Sequence, residues 1–114
     1  MKKKVRVSVK ALIMEEGQVL CNKYQKNGHV YYGLPGGGQN LGEPLPIALK
    51  RECLEEISTE VEVGRLRFVR DYIAQNHEFA KGTALNAFGY QCRIHKLCTP
   101  HSVQFLSKSG QPLF

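Results

Sequence analysis

The chain has 114 residues, enough for one domain spanning 1–114 and too few for a second with its own core. Hydrophobic residues make up 42% and charged residues 23%, which is ordinary globular usage and excludes wholesale disorder. The formal charge of +6 favours anionic partners such as nucleotides, phosphorylated metabolites or nucleic acid, without choosing among them.

The basic opening Lys2-Lys3-Lys4, followed by Arg6 and Lys10, reads as a solvated end with no catalytic role. Val5, Val7, Val9, Ala11 and Ile13 alternate with Arg6, Ser8, Lys10 and Leu12, the period of two expected of a strand with one buried face. Glu15-Glu16-Gly17 reads as a tight turn and Gln18 to Tyr24 as the return strand, so residues 5–24 are predicted to form a β-hairpin. Lys26-Asn27-Gly28 follows as loop, then a short Val30-Tyr31-Tyr32 segment.

Gly36-Gly37-Gly38 argues against a regular helix or strand interior and for a backbone that passes close to something. From Pro44 the pattern turns helical, with Pro44 and Pro46 tolerated only in the first turn, and the helix is predicted to start near Leu45 and reach about Ile57. Val61 to Ala74 and Ala84 to Ile94 are rich in β-branched and aromatic residues and read as two further strands. A polar loop through Gln75, Asn76 and His77 joins them.

The tail from Lys96 to Phe114 is broken by Thr99-Pro100, Ser107 to Gly110 and Pro112, and allows at most a short helix over His101 to Leu106. The order strands, helix, strands points to an α/β or α+β domain with a mixed sheet. Four scattered cysteines without a CxxC pair, and an N-terminus without an apolar export segment, lead to the expectation of reduced thiols in a cytoplasmic protein. No apolar run approaches the roughly 20 residues that cross a bilayer.

The chemistry is concentrated between Gly37 and Glu56: Gly37, five residues, Glu43, seven residues, Arg51-Glu52, two residues, Glu55-Glu56. At about 100° per residue, Glu52, Glu55 and Glu56 fall within an arc of roughly 100°, with Ile47 and Leu54 on the far side. Clustered glutamates often form no more than a solvated acidic face, with Arg51 bridging Glu55 at i, i+4. The other reading is a hard-oxygen cation site, because like charges at i and i+4 destabilise a helix unless a cation lies between them.

The same segment resembles the signature of the Nudix (MutT-like) hydrolases, Gly-x5-Glu-x7-Arg-Glu-U-x-Glu-Glu-x-Gly-U with U a bulky apolar residue. All six fixed positions up to Glu56 agree, a match expected by chance at about 10⁻⁷ per starting position from average usage. Leu34-Pro35-Gly36-Gly37-Gly38 is similar to the family's usual lead-in, and the resemblance covers residues 1 to about 94.

The resemblance implies a Nudix fold: a mixed sheet with the helix of the box (37–59) packed on it. It further implies Mg²⁺ or Mn²⁺ held by Glu52, Glu55, Glu56 and the Gly37 carbonyl, with Arg51 orienting the glutamates and Glu43 supporting the loop-helix junction. Glu52 or Glu55 becomes the candidate base, with Glu78 an outside candidate. Gly36, Gly37, Gly38 and Lys23 become candidate substrate contacts. Two departures stand out: Ser58 and Thr59 replace the closing glycine and apolar residue, and the tail (96–114) is unlike the family's closing helix, which is therefore short or missing here.

Cys92, His95, Cys98 and His101 recur every third residue, but strand alternation and the tight spacing argue for core cysteines and surface histidines over zinc. Tyr31, Tyr32 and Phe68 have faces on which a base can stack, and Lys23, Lys50 and Arg70 have charges that suit phosphate, though core packing and plain surface charge explain each as well.

The function implied is metal-dependent hydrolysis of the diphosphate linkage in a nucleoside diphosphate joined to another moiety. The alternatives are a non-catalytic nucleotide sensor of the same fold and an RNA 5′-end pyrophosphohydrolase; nucleic acid as a partner is not favoured, nor is a membrane. Phe68, Val69, Phe88 and Tyr90, with no convincing closing helix to cover them, lead to the expectation of a homodimer.

Overall fold

The computed structural model describes residues 5–73, 84–95 and 103–107. Strand β1 (Val5–Glu15) and strand β2 (Gln18–Lys26) are joined by a two-residue turn in which Glu16 (φ 52°) and Gly17 (φ 78°) are both left-handed, the type I′ geometry that matches strand twist. Only Met14↔Val19 and Glu15↔Gln18 pair across this turn; beyond them the two strands part.

The gap is filled by the next stretch of chain. Strand β3 (His29–Gly33) pairs antiparallel with β2, and strand β4 (Gly36–Gly38) pairs antiparallel with β1 at Lys10, Val9 and Ser8. Two features depart from the sequence-based expectation. Lys26 to His29 is a second type I′ hairpin, with Asn27 at φ 51° and Gly28 at φ 80°, where a plain loop is predicted. The glycine run is itself a strand, and its lack of side chains is what permits the pairing. A Cβ on Gly36 (φ 149°) would run into the Val9 carbonyl oxygen, so no other residue brings this backbone so close to β1.

Helix α1 (Leu45–Ile57) follows, with Pro44 extended at its N-cap and Pro46 in the first turn. It ends on Ser58, which takes the left-handed conformation (φ 52°, ψ 34°), while the Ser58 amide donates to Leu54 and that of Thr59 to Cys53. The turn that glycine normally makes is thus made by serine. Strands β5 (Val61–Ile73) and β6 (Ala84–Ile94) pair antiparallel, with irregularities between Val63 and Phe68, and β6 runs parallel to β1 from Val5↔Ala84 to Ile13↔Cys92.

Strand β7 (Val103–Ser107) pairs antiparallel with β2 from Gln18↔Ser107 to Asn22↔Val103. The short helix that the sequence allows over His101 to Leu106 is therefore a strand over its described part. Local pattern favours neither state strongly in five residues, and the exposed edge of β2 supplies backbone partners that a one-turn helix lacks.

The core has two parts. On the α1 side, Ala48, Leu49, Cys53 and Ile57 pack against Val9, Ala11, Ile13 and Leu20, with Phe105 of β7 at the margin. On the other side a smaller cluster gathers Val19, Cys21 and Leu34 with Leu12, Tyr32, Phe68 and Leu106. Phe105 and Leu106, neighbours in sequence, thus point to opposite faces and join different clusters, as strand alternation demands. No helix among the described residues is long and apolar enough to cross a membrane.

Candidate functional site

Three pieces of chain meet beside the α1 surface: β4, the turn Gln39–Glu43, and the solvent-side edge of the helix. The turn is closed by its own polar groups. Glu43 N–H donates to the Asn40 carbonyl (3.1 Å), Asn40 N–H donates to Glu43 Oε1 (3.0 Å), and Gln39 Nε2 donates to the Glu43 carbonyl (2.6 Å).

Arg51 locks this turn to the helix. Its Nε donates to Glu43 Oε2 (2.8 Å) and its Nη2 to Glu43 Oε1 (3.0 Å), the two-pronged fit of guanidinium to carboxylate, while Nη2 also donates to the Gly38 carbonyl (2.8 Å). The remaining terminal nitrogen, Nη1, donates to Glu52 Oε2 (3.0 Å) and to both Glu55 oxygens (3.2 Å each). Hydrogen bonds from Arg51, then the Asn40 amide, hold the Glu43 carboxyl below the usual glutamate range, and hydrogen bonds to Glu43 first, then to Glu52 and Glu55, push the Arg51 guanidinium further up.

Glu52 lies against Gly37: a Cβ at that position would collide with the carboxylate. Gly37 is thus a cradle whose empty side is filled by Glu52. Glu55 is more exposed, at 57% of its side chain. Glu56 turns the other way, accepting from Asn22 Nδ2 (2.5 Å) and Tyr24 Oη (3.3 Å) on β2. Burial, and next the Glu56 charge, push the Tyr24 hydroxyl up to about 12.

Asn22 and Tyr24 went unnoticed in the sequence. Their signal is an amide placed directly after the buried run Val19-Leu20-Cys21: Asn22 is only 3% exposed, and a buried amide needs partners. The partner comes from 34 residues away, which no local pattern reveals.

The expected site residues are therefore distributed as follows. Gly37, Gly38, Glu43, Arg51, Glu52 and Glu55 come together around one guanidinium. Gly36 lies one residue further, against β1. Glu56 is on the same helix face but bonded to β2. Lys23 is exposed and paired with Tyr32, and strand alternation puts it on the face opposite Asn22, Tyr24 and Glu56.

Among the described residues no group of three or more His, Cys, Asp or Glu side chains is gathered to hold a metal ion, because Glu52 and Glu55 face Arg51 while Glu56 faces Asn22 and Tyr24. The donor set itself is all hard oxygen, the chemistry that suits Mg²⁺ or Mn²⁺. Among the described residues Arg51 is the cationic partner of Glu43, Glu52 and Glu55, and Glu56 accepts from neutral donors. The cluster therefore carries excess negative charge on a chain of net charge +6.

Elsewhere, Cys92 is buried, with its thiol raised by burial to about 11, and His95 contacts Glu62 (2.8 Å) at the surface. Cys98, His101 and Glu78 lie outside the described residues. Lys50 and Arg70 are exposed.

No family model and no curated protein matches the chain. Solved structures do. A MutT Nudix hydrolase from Burkholderia pseudomallei is similar with a TM-score of 0.73 and 26% identity over 96% of this chain and 90% of that one. A MutT protein from Methanosarcina mazei Go1 gives 0.72 and 22% over 94% and 80%. A UDP-X diphosphatase gives 0.78 and 20% over all of this chain, which spans 56% of that protein. The chain has the Nudix fold: a mixed sheet with one helix packed on it.

Proposed function

We propose that the chain is a Nudix-type hydrolase that cleaves the diphosphate linkage of a nucleoside diphosphate joined to another moiety, using Mg²⁺ or Mn²⁺. The observation that carries this reading is the excess of carboxylate around Arg51 beside the glycine strand, on a fold shared with proteins named as hydrolases and as a UDP-X diphosphatase.

In this reading Glu52, Glu55 and Glu56 hold the cation, with the Gly37 carbonyl as a further ligand. When bound, the cation neutralises the diphosphate and lowers the pKa of the attacking water. The residues do the rest. Glu43 fixes Arg51, and Arg51 fixes the position of Glu52 and Glu55. Asn22 and Tyr24 hold Glu56 from the sheet side. The backbone of Gly36 to Gly38 lets a phosphate approach closely, because no Cβ stands in its way. The water oxygen forms a bond to phosphorus as Glu52 or Glu55 takes its proton, and the bridging oxygen departs with the second phosphate-bearing product.

The test is phosphate or pyrophosphate release from a panel of nucleoside diphosphate derivatives and capped or triphosphorylated RNA ends, with Mg²⁺, Mn²⁺ and chelator. Turnover that requires the metal and is largely lost in Glu55→Gln and Glu56→Gln, with melting temperatures near that of the parent, supports hydrolysis. Metal-dependent binding without turnover moves the reading to a nucleotide sensor.

A further inference from the structure

The face of the β2–β3 hairpin that holds Glu56 does not stop at Tyr24. Tyr31 pairs directly across from Tyr24, and the two rings stack with centroids 5.2 Å apart and 21° between planes. The next pair on that face is Lys26↔His29, both exposed. From the helix outward the face therefore reads Glu56, Asn22, Tyr24, Tyr31, with a lysine and a histidine at the end. Gly33, opposite Asn22, keeps this row low: a Cβ there would stand 3.3 Å from the Tyr24 ring.

Tyr31 is 50% exposed and belongs to neither core cluster, and among the described residues β3 pairs with β2 alone, so no strand lies beyond the ring. A half-exposed aromatic already stacked on one side offers its other face to a third ring. Every nucleobase has a flat π-face that such a platform accepts, whatever its hydrogen-bonding edge.

We infer that the outer face of Tyr31, backed by Tyr24 and rimmed by Lys26 and His29, is the subsite for the aromatic base of the substrate. This rests on the hydrolase reading for the position of the phosphates: Tyr24 touches both the stack and Glu56, so two stacked rings, Tyr31 and Tyr24, lie between the base and that carboxylate. The substrate class is then an aromatic base joined through a sugar to a diphosphate, with little discrimination among bases.

The protein has five tyrosines and no tryptophan, so its intrinsic emission comes from tyrosine, with Tyr24 and Tyr31 among the contributors. AMP, UMP and ribose 5-phosphate are titrated by calorimetry and by tyrosine emission into the parent protein, Tyr31→Phe, Tyr31→Ala and Tyr31→Leu, the last keeping apolar bulk on the strand without a ring. The expected result is that both nucleotides bind more tightly than ribose 5-phosphate and quench emission. Tyr31→Phe should keep this, while Tyr31→Ala and Tyr31→Leu lose roughly tenfold in nucleotide affinity with ribose 5-phosphate unchanged.

Equal affinity for AMP and ribose 5-phosphate in the parent overturns the inference. So does nucleotide affinity that survives loss of the ring; the stacked pair then serves only the hairpin, and a lowered melting temperature is its sole signature. Binding of monophosphates needs no turnover, which separates the two readings. A protein that stacks bases without hydrolysing diphosphates fails the hydrolase reading alone, and one that hydrolyses diphosphates equally well with and without a base fails this inference alone.

Discussion

Arg51 is the residue on which the local arrangement turns, and Glu43 is the partner that fixes it. The Glu43 carboxyl is held below the ordinary glutamate range by the guanidinium and the Asn40 amide, so the folded state favours the ionised form. A depressed folded pKa gives stability that is fully present above the unfolded value, about 4.3, and is lost as pH falls through the folded one. The difference in melting temperature between the parent and Glu43→Gln is therefore expected to be greatest near neutral pH and to close as pH drops below the usual glutamate range. A gap that is constant with pH would show that the charge on Glu43 is not what secures the turn. Gly37 offers a different measurement. Alanine there drives its Cβ into the Glu52 carboxylate without forcing a left-handed backbone, so Gly37→Ala is expected to lower kcat/KM by about a hundredfold through misplaced Glu52. The melting temperature should move by only a few degrees, as read by thermal unfolding beside the hydrolysis assay.

The exit of α1 shows how an element accepts an unfavourable residue. Ser58 has the left-handed conformation at a position where only glycine is free of strain, yet its amide and that of Thr59 close the helix. Ser58→Gly is expected to stabilise the fold by about 1 kcal/mol, read as a rise of roughly 4 °C in melting temperature. A fall would mean that the Ser58 side chain has a role not apparent in its contacts. The same elements show what a sequence discloses. The bounds of α1 and β6 follow from periodicity, proline and β-branched content, because those signals are local. Strands β3, β4 and β7 were not legible for three different reasons. Asn27-Gly28 is a hairpin signal only once the strand on its far side is recognised, glycine carries no strand preference, and five residues such as Val103 to Ser107 become a strand only because β2 is there to pair with. In the site, the spacing from Gly37 to Glu56 was readable since it lies along one helix and its lead-in. The contacts of Glu56 with Asn22 and Tyr24 were not, because they depend on how β2 is laid across the molecule.

For the molecule as a whole, β7 bears on association. The expectation of a dimer rests on a sheet with too little of its own chain to cover it, and Phe105 and Leu106 now supply part of that cover from within the chain. Val69 and Leu66 on β5 remain about half exposed, as single side chains on a strand with irregular pairing. A monomer is the expected outcome of light scattering at micromolar concentration, and a dimer that dissociates on Val69→Lys would place the contact on β5. The parallel pairing of β1 with β6 has a consequence in time. Val5 meets Ala84 and Ile13 meets Cys92, so this ladder closes a loop of roughly eighty residues, whereas both hairpins and the glycine strand close loops far shorter. Closing the long loop costs chain entropy before its contacts reward it, which slows folding. The residues of the site, Asn22 to Glu56, therefore finish leaving the ribosome well before the sheet beneath them is complete. Strand β1 keeps the edge that β6 takes unpaired until roughly eighty further residues have followed it.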